Sequence, residues 1–452
     1  MIMQIEDPNS SNRVVGLDFG TTRSVVAICD GENCSVVKID ALGFLPSIAY
    51  VDGRRFASIK RILGLREADK HKDLLPYELS WEEGYPRILI DGAKYDVHVL
   101  VQKILRKIRL EVASTMGEKV NQAVITVPAC FDYYARQLIY DNAQLAGWNI
   151  SRILSEPVAA SLAHRDIIGD GVYGVYDLGG GTFDFSVVRI EGDVTQVLST
   201  GGSIEMGGDD VDRALFHKFS SGQQCFDDSD MVKVMQVIQK GKEDAVNLGF
   251  SNLQLGARLF ELTKNDVEQA SASLIRESLD ISDSVIADSH AAISGIVLSG
   301  GSSALPGIFD ALEQRYQVPI HHSLPSSDVV AMGAARYANG IKQRSHLLMD
   351  VISASIGVMT FGDEVAWILH KNQPIPARET EGFSSLHSGK VNIRIVQSSL
   401  RGDSGIIVLR SEVWDCISGV LLVTLAVDHR GNLTAELQDD KRCVNWVIDI
   451  VK

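Results

Sequence analysis

The sequence predicts an α/β domain made of two duplicated lobes, followed by an all-β module of about 100 residues. Three observations predict it. A strand, acidic turn, strand unit occurs twice, as RVVGLDFG with SVVAICD from Arg13 and as VYGVYDLGGGTF with DFSVVRIEG from Val172. In each unit an aspartate, Asp18 or Asp177, ends an apolar strand and is followed by Gly and Thr. Beyond about Ser345 helical spacing disappears, and short apolar segments alternate with turns.

The elements follow in order. Between the two units lie a buried strand, Ala123 to Val127, and a helical stretch from about Tyr134 to Ala146. In RILSEPVAASLAHR, Pro157 can open a helix just after Glu156. From about Asp228 to Ser289 the apolar spacing is mostly helical, as in MVKVMQVIQKGKEDAVNLGF. GIVLSGGSSALPGI reads as a third strand and glycine turn leading into a helix. HLLMDV is a short apolar segment, and EVAWILH, VNIRIVQ, GIIVLR, GVLLVTLAVD and NLTAEL read as strands.

Composition bounds the function. The 452 residues exceed one compact core, and length alone suggests about three units. At 45% hydrophobic and 22% charged residues the chain reads as globular rather than disordered. The stretch Gly419 to Val427 is far shorter than the ~18 residues of a membrane span. MIMQIEDPNSSNRVV lacks the basic region and apolar run of a secretory signal. A net charge of −15 has the wrong sign for bulk attraction to nucleic acid. The six cysteines form no CxxC pair. Buried thiols in a reducing cytoplasm are expected, although Cys29 and Cys34 could bridge a short hairpin. A cytoplasmic monomer, with no nucleic-acid or membrane partner, is the expectation.

The chemistry rests on DFGTT (18–22), DLGGGTF (177–183) and GGS (300–302). Glycines without Cβ let backbone N–H groups approach phosphate oxygens, and threonine hydroxyls add donors. An acidic residue at each strand end can hold a hydrated Mg²⁺ bridging the β- and γ-phosphates. One such turn alone needs no ligand; two in equivalent contexts point to a shared triphosphate site. Neither a P-loop nor a Rossmann fingerprint occurs.

VVGLDFGTTRSVVAI, AVITVPACFDYYARQ, RILSEPVAASLAH, YDLGGGTFDFSVV and MGGDDVD, in that order, resemble the nucleotide-binding domain of the seventy-kilodalton heat-shock chaperones of DnaK type. HLLMDVISASIGV resembles that family's interdomain linker and first peptide-domain strand. The likeness runs from about Arg13 to Lys452 and is nearest the HscA branch, which serves iron–sulfur cluster assembly. It implies a duplicated actin-like (ribonuclease-H-like) ATPase over 13–344, a linker over 345–350 and a β-sandwich substrate-binding domain over 351–452. It further implies ATP/ADP and Mg²⁺, extended peptide segments, a J-domain co-chaperone and an iron–sulfur scaffold client.

Roles follow from the resemblance, residue by residue. Asp18, Asp177 and Glu156 would position Mg²⁺ through its waters, and Lys60 would orient the attacking water. Gly20, Thr21, Thr22, Arg23, Thr182 and Gly179, Gly180 and Gly181 would cradle phosphates. Gly207, Gly208, Lys242, Gly300, Gly301 and Ser302 would approach the nucleotide from the second lobe. Pro128 and Arg136 match the relay of nucleotide state, and Arg152 and Asp350 the J-domain surface. Val358, Phe361, Phe383 and Val391 match the peptide cleft, with core packing as the alternative. Leu347, Leu348 and Met349 would dock on the ATPase when ATP is bound, with a buried strand as the alternative.

Some positions depart from the pattern. Gln239, Val246, Ala304 and Ser327 replace the family's usual residues near the adenosine, which implies a weakened base pocket and slow hydrolysis. Ser155 and Val158 deviate near the co-chaperone surface, and Leu386 stands where a smaller residue is common in the cleft. The family's helical lid would begin where this sequence stops, so a lidless or truncated chain is expected. A general folding chaperone, a nucleotide-sensing scaffold and a small-molecule kinase are the alternative readings.

Overall fold

The computed structural model describes residues 13–39, 43–63, 77–82, 85–220, 228–256, 258–322, 324–343, 347–384, 389–398, 406–416, 420–428, 431–440 and 442–448. The duplication is visible in strand order. In the first lobe the sheet runs Asn149–Ser155, Gln122–Val127, Val14–Phe19, Arg23–Asp30, Asn33–Val36. In the second it runs Ile320–His321, Gly295–Ser299, Gly171–Leu178, Phe183–Glu191, Val194–Ser203, Leu347–Met349. In both, the Asp-bearing strand pairs in parallel on one side and antiparallel on the other. Buried β-branched runs such as QAVITV and GIVLS suit strands covered on both faces.

Helices close these faces. In the first lobe α1 (Val97–Met116) starts at Asp96, whose carboxylate accepts from His98 N at 2.7 Å, and stops at Gly117 with φ 65°. Its stripe of Val97, Leu100, Val101, Ile104, Leu105, Ile108 and Val112 is buried. Next come α2 (Tyr133–Leu145), capped by Asp132, and α3 (Glu156–Ile168), with Pro157 in its first turn. The second lobe carries α4 (Gly208–Ser220), α5 (Asp228–Leu248), α6 (Lys264–Ser289) and α7 (Ile308–Tyr316). The mostly helical stretch expected over 228–289 is broken by a hairpin, Phe250–Leu255 with Arg258–Thr263. A capping box of Thr263 and Asp266 then restarts the helix as α6.

The helix α8 (Val329–Gln343) packs between the lobes against α3 and the first sheet. That approach depends on two glycines. A Cβ on Gly16 would overlap the backbone of Ala335, and one on Gly333 the backbone of Ala159. Val124, Leu154, Val158, Ala159, Val197, Val330 and Ala334 share the resulting core with Val351.

The all-β module is a sandwich of two four-stranded antiparallel sheets. Alternation sends Leu421, Val423, Leu425, Leu433, Ala435 and Leu437 inward. The module sits against the lobes. Tyr133 of α2 is buried in the sandwich core and its hydroxyl donates to Ile448 O at 3.1 Å. Ser353 Oγ donates to Phe131 O at 3.2 Å, and Thr200 N to Asn372 Oδ1 at 3.2 Å. Leu347–Met349 lies parallel to Val194–Gln196 as the last strand of the second lobe's sheet.

One expectation is corrected. Cys29 and Cys34 form a disulfide rather than free thiols. They are directly opposite one another in the hairpin of Arg23–Asp30 and Asn33–Val36, with Cα atoms 4.0 Å apart. The cysteines therefore no longer argue for a reducing compartment. Cys130 is buried as expected, but Cys443 is exposed. Cys225 and the side chain of Cys416 lie outside the described residues. No helix among the described residues is long and apolar enough to cross a membrane.

Candidate nucleotide site

A cavity of about 260 Å³ lies between the lobes. Asp18 and Asp177 reach it from equivalent strand ends, and their surroundings match. Asp18 is in register with Thr126, whose hydroxyl donates to Asp18 Oδ1 at 3.4 Å. Asp177 is in register with Ser299, whose hydroxyl donates to Asp177 Oδ2 at 3.0 Å. The duplicated topology thus delivers one carboxylate and one hydroxyl from each lobe to the same place.

Lys60 enters from a short 3-10 turn, Ile59–Arg61, and pairs with Glu156 at 2.9 Å, both almost fully buried. Glu156 is the first residue of α3, so its carboxylate also faces a helix N-terminus. Burial, then the charge of Glu156, pushes the Asp18 carboxyl up to about 7, against the pull of Lys60 and Thr126. Burial, Glu156 and Asp184 hold Asp177 well above the usual carboxylate range. Asp184, raised to about 7 by burial and Glu156, accepts from Cys130 N at 2.6 Å. Its Oδ2 is buried with no partner among the described residues.

Backbone turns line the rest. Gly20, Thr21, Thr22 and Arg23 face the cavity from the first lobe, Gly179, Gly180 and Thr182 from the second. Gly300, at φ 80°, leaves room that a Cβ would take from Asp177 and the Leu178 carbonyl. Gly208, Lys242, Gly301 and Ser302 complete the wall. Gly181 and Gly207 are not in the lining. Gly181 packs on Arg61 and Thr21, and Gly207 on the backbone of Gly180, so both support the turns from behind. At the far end Gln239, Val246, Asn247, Ala304, Leu305 and Ser327 supply amides, a hydroxyl and apolar groups.

The residues fit a hydrated divalent cation. Three buried carboxylates, Glu156, Asp177 and Asp184, gather here with the half-buried Asp18, and Lys60 acts on Asp18, Asp184 and Glu156. No three His, Cys, Asp or Glu side chains among the described residues could ligate an ion directly.

Some functional neighbours escaped the sequence reading. Arg61 is buried, and its Nη2 donates to Asp210 at 3.2 Å across the cleft. Ser58 Oγ donates to Asp209 Oδ2 at 2.8 Å, also between lobes. Lys242 pairs with buried Asp212 at 2.8 Å and donates to Gly208 O at 2.8 Å. Two signals were available: Asp184 closes the GGGTFD run, and Asp209 and Asp210 follow the glycines of MGGDD.

The peptide-binding set divides. Val358 is buried in the sandwich core beside Ile356, Ile395 and Trp414, the packing alternative for that position. Phe383 is half-buried at the margin of the same core. The side chains of Phe361 and Val391, and the whole of Leu386, lie outside the described residues. Arg136 donates to the carbonyls of Phe131 and Ala129, just beyond Pro128. Arg152 and Asp350 line a second, smaller cavity between α2 and the module.

Two duplicated lobes closing on paired acidic strand ends, with a β-sandwich docked beside them, define a two-lobed nucleotide-cleft protein with a second, all-β domain. The comparisons agree. The family model for Hsp70 protein matches residues 47–403. The chaperone protein HscA homolog of Variovorax paradoxus (strain S110) is 34% identical over 428 residues, covering 87% of this chain and 69% of the relative. Those of Delftia acidovorans (32%; 87% and 69%) and Bordetella pertussis (31%; 88% and 71%) are similar over the same span. The chain belongs to the Hsp70 family, as an HscA-like chaperone. The family's members are ATPases that bind ATP or ADP with Mg²⁺.

Proposed function

We propose that this chain is an ATP-driven peptide-binding chaperone that acts, with a J-domain co-chaperone, on an iron–sulfur scaffold protein. The observation that carries the ATPase part is the convergence of Asp18 and Asp177, each with its in-register hydroxyl, on one cavity beside the Lys60–Glu156 pair. Bound with the nucleotide, Mg²⁺ would neutralise charge on the β- and γ-phosphates.

The chain's own groups do the rest. Asp18, Asp177 and Glu156 would hold the ion through its waters. Gly20, Thr21, Thr22, Gly179, Gly180 and Thr182 hold phosphate oxygens with N–H and hydroxyl donors, and Arg23 flanks them. Lys60, fixed by Glu156, aims its ammonium at the γ-phosphate and positions the attacking water. Gly208, Lys242, Gly300, Gly301 and Ser302 close the second lobe on the sugar and base, with Gly207 backing the turn at Gly180. The apolar and amide lining at Gln239, Val246 and Ala304 supports weak base binding. We assign residues 13–344 to the ATPase, 345–350 to the linker and 351–452 to the substrate domain. The pairing of Leu347–Met349 with Val194–Gln196 supports reading the arrangement as the linker-docked, ATP-type state. The HscA-like relatives support the choice of client class.

The test is single-turnover ATP hydrolysis with and without a J-domain protein and a scaffold peptide. Stimulation by both is expected. Turnover without stimulation by either would remove the chaperone cycle, and no turnover would remove the ATPase.

A further inference from the structure

The fold leaves one side of α1 open. Opposite its buried stripe, Val99, Lys103, Arg106 and Leu110 recur at helical spacing and are exposed. Lys107 stands on one shoulder of this row, its Nζ 6.0 Å from the centroid of the Tyr50 ring on the strand Ala49–Val51. On the other shoulder Arg106 Nη2 donates to the carbonyl oxygen of Leu145, the last residue of α2, at 3.4 Å. Val99, Leu110, Tyr50 and Leu145 are between 45% and 63% exposed, so large apolar groups bracket the three cations on every side. The cations are unbalanced. Lys103 lies three residues from Arg106 and four from Lys107, a spacing at which like charges repel. Among the described residues none of the three forms an ion pair, and Glu111 is the one carboxylate on the helix. None of these groups lines the cleft cavity or the smaller cavity beside α2.

We propose that this face of α1 docks an acidic amphipathic helix of a partner protein. Apolar side chains of the partner sit against Val99, Leu110 and Leu145, and carboxylates on its flanks meet Lys103, Arg106 and Lys107. From Val99 to Leu110 the row runs about 16 Å along the helix axis, the length of three turns of a second helix. Charge then selects among anionic partners. The chain as a whole carries −15, so a bilayer or a nucleic acid, wider than the row, meets net repulsion. A single helix stays within about 8 Å of the row, inside the screening length, where the three local cations dominate. The exposed apolar groups point the same way, because they gain nothing from a bare phosphate surface and are covered by an apolar helix face. The proposal does not depend on the nucleotide reading of the cleft.

The probe is a labelled synthetic helix of about 18 residues, with Leu along one face and Glu on both flanks, titrated with the full chain by fluorescence anisotropy. Wild type is expected to bind it with a Kd on the order of 10 μM. Lys103→Glu with Arg106→Glu is expected to weaken binding at least about tenfold, since two attractions become repulsions. Val99→Ser with Leu110→Ser should weaken it about fivefold through lost apolar contact. All four positions are exposed, so both double variants should keep the wild-type urea midpoint. Equal affinity in wild type and the charge variant would place the peptide elsewhere, in the β-sandwich for instance, and overturn the proposal. So would the absence of binding to wild type at ~1 mM. Co-sedimentation of wild type with phosphatidylglycerol vesicles, without binding of the peptide, would give the face to a membrane instead. A wild-type dimer that the charge variant turns into a monomer would give it to a second copy of the chain.

Discussion

Lys60 is almost fully buried because Glu156 meets it and three further carboxylates surround the pair. Removing the ammonium leaves Glu156 buried without its partner and the cavity strongly acidic. Lys60→Ala is therefore expected to slow single-turnover ATP hydrolysis by at least about 100-fold, the usual cost of one electrostatic donor. Calorimetry should still detect ATP binding, since the glycine turns are untouched. A second residue-scale prediction concerns Asp212. Burial raises its carboxyl to about 7, opposed by Lys242. The folded chain then holds a proton between pH ~4 and ~7 that the unfolded chain has released, so stability falls as pH rises through that window. Asp212→Asn should flatten this fall, by an amount on the order of a few kcal/mol between pH 5 and 8 in urea unfolding. An unchanged slope would refute the assignment. Asp18 and Asp177 were legible in the sequence because their motif occurs twice. Arg61 was not, because a cation beside Lys60 reads as a solvated pair until the fold shows Asp210 facing it.

At the scale of elements, apolar spacing located the strand Gln122–Val127 and the helix α2 almost to the residue, and Pro157 marked the start of α3 but not its end. It missed the hairpin inside 228–289, where Leu253 and Leu255 alternate with exposed Asn252 and Gln254 over too few residues to outweigh the helical spacing on either side. It also left Leu347–Met349 open between linker and strand, since three residues carry no period. In the fold they extend a sheet edge, with Leu348 packed against the interlobe core. That core rests on the contact of α3 with α8. Gly333→Ala would force a methyl onto the Ala159 backbone, and overpacking of this kind costs about 1–3 kcal/mol. The expected readout is a lower urea midpoint with the slope unchanged. A wild-type midpoint would mean that α8 can shift away from α3 at little cost.

The whole molecule couples its parts through a narrow set of contacts, which sequence could not show because each joins residues far apart in the chain. Tyr133 leaves α2 to enter the sandwich core, Asn372 reaches the backbone of Thr200, and the strand Leu347–Met349 lies on Val194–Gln196. Tyr133 is the buried anchor among them, at 9% exposure. Its removal by Tyr133→Ala vacates a ring-sized volume and a hydroxyl bond, so the module should lose its seat while both lobes stay folded. Hydrogen exchange separates these outcomes. In Tyr133→Ala, amides of Leu347–Met349 should exchange at least about tenfold faster, while those of Gly171–Leu178 in the same sheet keep wild-type protection. Loss of protection in both segments would indicate unfolding of the lobe. Unchanged exchange in Leu347–Met349 would show that the strand holds to its sheet independently of the module, and would remove Tyr133 from the coupling.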